Sequence, residues 1–167
     1  GQALLKQLQS REIDFVAQLG WLRWTPDIVT REYKSRMINQ HPGPLRPNHI
    51  DFGGKRMYGL RVHQARLNFV QATDRNYWTE AVSQWVDPKV DHGSVIKMMR
   101  IPIYTSDTAE TLQERVLPIE YEVQIAAIND VINGTVRHVV NFNYTLVLPG
   151  EEPILEKAKA EAIKQWP

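Results

Sequence analysis

Met37-Ile38-Asn39-Gln40-His41-Pro42-Gly43-Pro44 is an apolar pair that runs at once into two amides and an imidazole, and then into residues that break regular structure. A strand leaving the carboxyl edge of a parallel sheet looks like this: apolar side chains fill the layer under the helices, and proline and glycine turn the chain away. Asn39 and His41 stand two residues apart, so on a strand they project to the same side. Open α/β sheets take ligands in the crevice beyond the carboxyl ends of their strands, which is where these two side chains fall. The fold class expected is α/β, with a partial doubly wound, mostly parallel sheet.

Upstream, Ile13, Phe15, Val16 and Leu19 form a short apolar run that stops at Gly20 and reads as a buried strand. A helix is expected around Ala3 to Ser10 and another, short one after Thr25-Pro26-Asp27, where proline suits the first turn. Downstream, the stretch from Pro42 to Gly59 holds three prolines and four glycines and reads as a long irregular loop; loops of that length are functional or mobile. Leu60, His63, Leu67 and Val70 recur at helical spacing, placing a helix over Leu60 to Phe69. Ala81 to Trp85 and Ser94 to Ile103 read as strands joined by the loop Asp87 to Gly93. Asp107 and Thr108 can cap a long helix that stops at Asn133-Gly134, with Pro118 expected to kink it. Arg137 to Leu148 is β-like, and Glu151-Glu152-Pro153 opens an amphipathic helix with Ile154, Leu155, Ala158, Ala162 and Trp166 on one side.

Taken singly, each candidate has a plain reading. Asn39 before a His-Pro turn can bond local backbone, Asp91 beside Gly93 suits a hairpin turn, and Asp87 before Pro88 can cap its own loop. His92 is expected to face solvent, and the spacings of His49, His63 and His92 fit no common zinc signature. Trp21, Trp24, Trp78, Trp85 and Trp166 could stack on a flat ring or fill a core, with Trp24 and Trp85 nearest the proposed pocket. Lys55, Arg56, Arg61 and Arg66 cluster around the glycine-rich loop and could hold a tRNA or a phosphorylated acceptor, but with nearly as many acids as bases in the chain they read as a solvated face.

Together these residues resemble a known family. Gly20-Trp21-Leu22-Arg23-Trp24-Thr25-Pro26, then Ile38-Asn39-Gln40-His41-Pro42, then Val86 to Ile96 with its Asp91-His92-Gly93 loop and later Pro102, and Asp107 to Leu112 leading into a helix, are similar in order to the folate-dependent formyltransferases of the glycinamide ribonucleotide and methionyl-tRNA types. The resemblance spans about residues 3 to 136. It implies a sheet of the formyltransferase type with a C-terminal strand and helix added. It also implies formyl transfer from 10-formyltetrahydrofolate to an amine, with Asn39, His41 and Asp91 as the catalytic set. Asn39 and a protonated His41 would donate to the developing oxyanion, while Asp91 would hold His41 cationic and help take the amine's proton. The folate would lie against Leu22, Arg23 and Trp24 on one side and Val86, Asp87 and Val90 on the other.

Departures from the family pattern are equally specific. After His41-Pro42 this chain reads Gly43-Pro44-Leu45-Arg46-Pro47, and the stretch to Asp91 is longer than in relatives, which predicts a remodelled acceptor-side loop. Gln84 stands where relatives often have His, which bears on the donor side. The family's opening strand, glycine turn and helix, and a second such unit, have no counterpart before Leu4, so no early phosphate-binding turn is offered and a phosphate-bearing acceptor is not expected. Another segment or chain completes the sheet, or the sequence is a piece of a longer one, or the fold is trimmed.

The 167 residues, 43% apolar content and net charge of +1 are those of a globular domain with no general pull toward nucleic acid or membrane. Absence of cysteine rules out thiolate catalysis and cysteine-based metal sites, and no metal is expected. No apolar stretch reaches the roughly eighteen residues that cross a bilayer, and a cytoplasmic location is expected. Residues 1–135 form the expected catalytic core and residues 136–167 a C-terminal strand and amphipathic helix, packed on the core or on a partner. Expected partners are a small-molecule amine and a second copy or complementing chain. Three activities remain open at this point: transferase, hydrolase of the same donor, or a non-catalytic module of the same fold.

Overall fold

The computed structural model describes residues 1–46, 51–137 and 146–167. Nine elements follow one another among them: α1 (Gln2–Ser10), β1 (Val16–Gln18), α2 (Asp27–Glu32), β2 (Met37–His41), α3 (Leu60–Thr73), β3 (Trp78–Trp85), β4 (Val95–Pro102), α4 (Ala109–Ile132) and α5 (Glu152–Gln165). The four strands lie in the order β1-β2-β3-β4. β1 and β2 are parallel, with Ala17 opposite Ile38, whereas β2–β3 and β3–β4 are antiparallel.

The α/β reading of the sequence holds, and within it the described sheet is mixed, with one parallel pair. For the β3–β4 pair the reason is the length of the connection: residues 86–94 are too few for a crossover helix, so β4 returns beside β3 as a hairpin. The run from Ile13 to Leu19 is a correction of a second kind. Only Val16–Gln18 is strand, all three residues are half-buried, and Leu19 is 60% exposed. β1 is the last described strand on its side of the sheet, so its flanking residues have no neighbour to cover them.

Helices cover the sheet on both sides. Val29, Tyr33 and Met37 pack with Leu4, Leu5 and Leu8 of α1, while Ala81 and Ile101 meet Leu67 and Val70 of α3 and Leu112 and Val116 of α4. α4 starts as its sequence predicts: the Thr108 hydroxyl accepts from the Thr111 N–H, and the Thr111 hydroxyl accepts from the Thr108 N–H. Pro118 sits inside one continuous helix, and its missing N–H leaves the Glu114 carbonyl without the usual donor.

α3 runs four residues beyond its predicted end and is buried nearly all round, because α5 lies against the side turned away from the sheet. That accounts for another correction: Lys55 and Arg56 are exposed, but Arg61 and Arg66 on α3 are buried. Arg66 stacks its guanidinium over Phe52, Phe69 and Trp78 and donates to the Asn76 carbonyl. The expected strand from Arg137 to Leu148 falls largely on 138–145, outside the described residues, as does His49. Among the described residues no helix is long and apolar enough to cross a membrane.

Candidate active site

β2 ends in the polar side chains its sequence announces. Asn39 and His41 share one face of the strand, and Gln84, the cross-strand partner of Asn39, lies on the same face. The β3–β4 register shifts between Ser83 and Gln84, just before the loop that carries Asp91. Asp91 itself has φ 58°, a left-handed conformation that aspartate tolerates better than most side chains.

The loop geometry turns the Asp91 carboxylate inward. Its Oδ2 accepts the Gly54 N–H at 2.8 Å and its Oδ1 accepts the Gln84 side-chain amide at 2.9 Å. His41 Nδ1 stands 3.9 Å from Asp91 Oδ2, an ionic contact too long for a hydrogen bond, and both side chains are almost wholly buried. The other ring nitrogen, Nε2, lies 3.2 Å from the Phe52 carbonyl. Gln84 thus holds the carboxylate directly, a role its sequence position alone did not give it.

Two glycines make this closeness possible. A Cβ on Gly53 would lie 2.6 Å from Leu45 Cδ2 and 2.9 Å from Asp91 Oδ2. A Cβ on Gly93 would lie 1.6 Å from the Trp85 carbonyl oxygen.

All nine residues expected from the sequence line one cavity of about 540 Å³: Asn39, His41 and Asp91, together with Leu22, Arg23 and Trp24 and with Val86, Asp87 and Val90. That volume falls within the range of small-molecule sites. Leu22 is 67% exposed and Trp24 58%, so the mouth presents apolar surface to solvent. Trp21 and Trp85 also line it, and Asp87 caps its own loop by accepting the Lys89 N–H at 2.9 Å. His92 is exposed.

The inner wall adds His63 of α3, which the sequence offered only as part of a helical stripe and a poor zinc pattern, and Glu120 of α4, which it did not single out. Burial, aided by a positive His41, lowers the His63 imidazole from 6.5 to about 3, and neither ring nitrogen has a hydrogen-bond partner among the described residues. His63 is therefore neutral at ordinary pH. Burial raises the Glu120 carboxyl from 4.5 to about 7. The one available signal was His63 in the apolar stripe of α3; Glu120 gave none, being a charged residue in a helix with other charged residues around it.

These two groups oppose each other as pH changes. The stabilising effect of a neutral Glu120 is complete below pH 4.5 and is lost as pH rises through 7, a change of about 3 kcal/mol. His63 acts in reverse: its effect is complete above pH 6.5 and is lost as pH falls toward 3. Glu120→Gln removes the first dependence and keeps the second. Urea midpoints at pH 5 and pH 7.5 should show wild type losing ground to the variant at the higher pH, and parallel midpoints would remove Glu120 as the cause.

Residues 1–128 match the protein family described as formyl transferase. A chloroplastic phosphoribosylglycinamide formyltransferase from Vigna unguiculata is 31% identical over 125 residues, covering 75% of this chain and 37% of that protein. The solved structure of a phosphoribosylglycinamide formyltransferase from Streptococcus pneumoniae has the same fold, with a TM-score of 0.62 at 24% identity over 78% of this chain and 65% of that one. A formyltetrahydrofolate deformylase from Pseudomonas syringae pv. tomato shares the fold too, with a TM-score of 0.63 at 18% identity over 80% of this chain and 40% of that one. The chain spans 37% to 58% of the length of the phosphoribosylglycinamide formyltransferases it matches.

Proposed function

We propose that this chain, which belongs to the formyl transferase family, forms the acyl-transfer site of a folate-dependent enzyme that moves a formyl group from 10-formyltetrahydrofolate to an amine through a tetrahedral oxyanion. The observation that supports this most directly is the cavity, which is lined by an amide, an imidazole and a carboxylate together with the donor-side residues. Among the residues lining it, the exposed faces of Trp21 and Trp24 and the loop Val86 to Val90 suit a flat ring system with a polar edge.

Each residue's part follows from where it sits. The amine nitrogen attacks the formyl carbon, a C–N bond forms, and the carbonyl π pair moves to oxygen. Asn39, whose side chain borders the cavity, donates an N–H to that oxygen, and His41 donates a second. Asp91, its carboxylate fixed by Gly54 and Gln84, stabilises a cationic His41 and accepts the proton that the amine loses. As the oxyanion collapses, the bond to the donor's nitrogen breaks and that nitrogen takes up a proton.

Phosphoribosylglycinamide, the acceptor in the relatives' name, presents a primary amine of the kind this chemistry requires. Lys55 and Arg56, exposed and lining the same cavity, would meet an anionic group on such an acceptor. A complementing strand from another segment or chain would pair along the outer edge of β1, the last described strand on its side of the sheet, where Leu19 is exposed.

The deciding assay follows tetrahydrofolate and formate separately, with and without amine. Amine-dependent tetrahydrofolate with a formylated product supports the transferase. Formate released without amine supports the hydrolase that the deformylase likeness suggests, and no turnover together with no donor binding by calorimetry supports a non-catalytic module.

A further inference from the structure

Three consecutive residues touch both charged partners of the site. The Phe52 carbonyl faces His41 Nε2 at 3.2 Å, and two residues on, the Gly54 N–H donates to Asp91 Oδ2 at 2.8 Å. Gly53 between them approaches so closely that any side chain there would meet Leu45 and the Asp91 carboxylate. An imidazole whose Nε2–H is held by a backbone carbonyl has its other nitrogen, Nδ1, left for chemistry. In this structure Nδ1 is also the nitrogen on the Asp91 side, 3.9 Å from Oδ2.

What holds the segment is behind it. The Phe52 N–H donates to the Pro44 carbonyl at 3.3 Å, and the Phe52 ring meets Phe69 edge-on, with centroids 5.6 Å apart. Leu155, Ala158 and Ala162 of α5 close the same apolar cluster. Arg61 ties the far end of the loop: its Nε donates to the Trp166 carbonyl just past α5 at 2.6 Å, and its Nη1 to the Arg56 carbonyl at 3.1 Å. α5 lies beyond the residues that match the family.

We infer that Phe52-Gly53-Gly54, seated on α5, is the positioning element of the site: it orients imidazole and carboxylate together and makes Nδ1 of His41 the working nitrogen. The inference rests on the proposed formyl transfer for its kinetic consequence, but not for its structural one.

Gly53→Ala tests it with two readouts. Ring 15N spectra, recorded with His41 neutral, should show the Nε2–H tautomer in wild type and a mixture in the variant, and kcat should fall about 10- to 100-fold, as expected when a catalytic group is displaced by an ångström or so. Donor-analogue affinity should stay within a few-fold, since the donor-side residues are untouched. A folded Gly53→Ala protein with the wild-type tautomer, or with wild-type kcat, overturns the inference. Should Gly53→Ala not fold, Phe52→Leu keeps the glycines while loosening the ring's seat against α5, and it should move both readouts the same way by a smaller amount; no movement in either overturns the inference. If wild type transfers no formyl group, the proposed function fails, while the tautomer measurement still decides this one.

Discussion

His41→Ala is expected to lose at least about 10² to 10³ in kcat/KM for formyl transfer, the usual effect of removing one donor from an oxyanion site. The His41 imidazole stands 3.9 Å from the Asp91 carboxylate, whereas His63, held neutral by burial, cannot supply a cationic donor in its place. Alanine leaves the Asp91 carboxylate with its Gly54 and Gln84 donors, so the loop keeps its anchor. The Phe52 carbonyl loses one contact, a cost of about 1 kcal/mol that a cooperative domain tolerates. Activity should therefore fall far more than stability. Single-turnover rates beside a urea titration separate the two effects, and they should be measured with donor-analogue affinity because His41 and the donor-side residues are different parts of the cavity. Turnover within threefold of wild type in a folded variant would remove His41 from the chemistry, whether the acceptor is an amine or water.

The elements that carry the site were legible because their signals are local. Met37-Ile38 ending in Asn39 and His41 gives a strand and its polar terminus without reference to anything distant, and β2 is observed over Met37–His41. Thr108 caps α4 through Thr111, three residues away. The rest depends on partners far along the chain. Glu80 sits buried in β3, where its charge hid the start of the strand, because it is paired with Arg46 at 2.8 Å across 34 residues. Arg61 and Arg66 read as solvated because nothing nearby in sequence indicates that α5 covers α3. Phe52-Gly53-Gly54 lay within a stretch whose prolines and glycines announce only irregularity, and its meaning emerges where it meets His41 and Asp91. Glu120 comes to the cavity because α4 crosses the sheet. No helical period contains that information.

Gly93→Ala should be the most destabilising single methyl in the described chain. The added carbon would fall 1.6 Å from the Trp85 carbonyl oxygen and 2.6 Å from the carbonyl carbon. Both are backbone atoms at the end of a central strand, so no rotamer change relieves the overlap, and the loop 86–94 has to move as a body. Overpacking that side chains can absorb costs about 1–3 kcal/mol, and backbone displacement places this variant at or above that range. Gly134→Ala calibrates the measurement: its φ of +65° also disfavours a side chain, but nothing lies within 4 Å of the added carbon, so only the left-handed penalty of about 1–2 kcal/mol applies. Urea midpoints should therefore rank wild type, Gly134→Ala, then Gly93→Ala. Activity should separate the two variants further. Asp91 is two residues from Gly93 and is held by one backbone N–H and one side-chain amide, so a loop that yields at Gly93 draws the carboxylate away from His41. Gly134 lies past the end of α4 and should leave turnover alone. A Gly93→Ala midpoint equal to that of Gly134→Ala would mean that the loop does not pack against Trp85 as described, and the placement of Asp91 would fall with it.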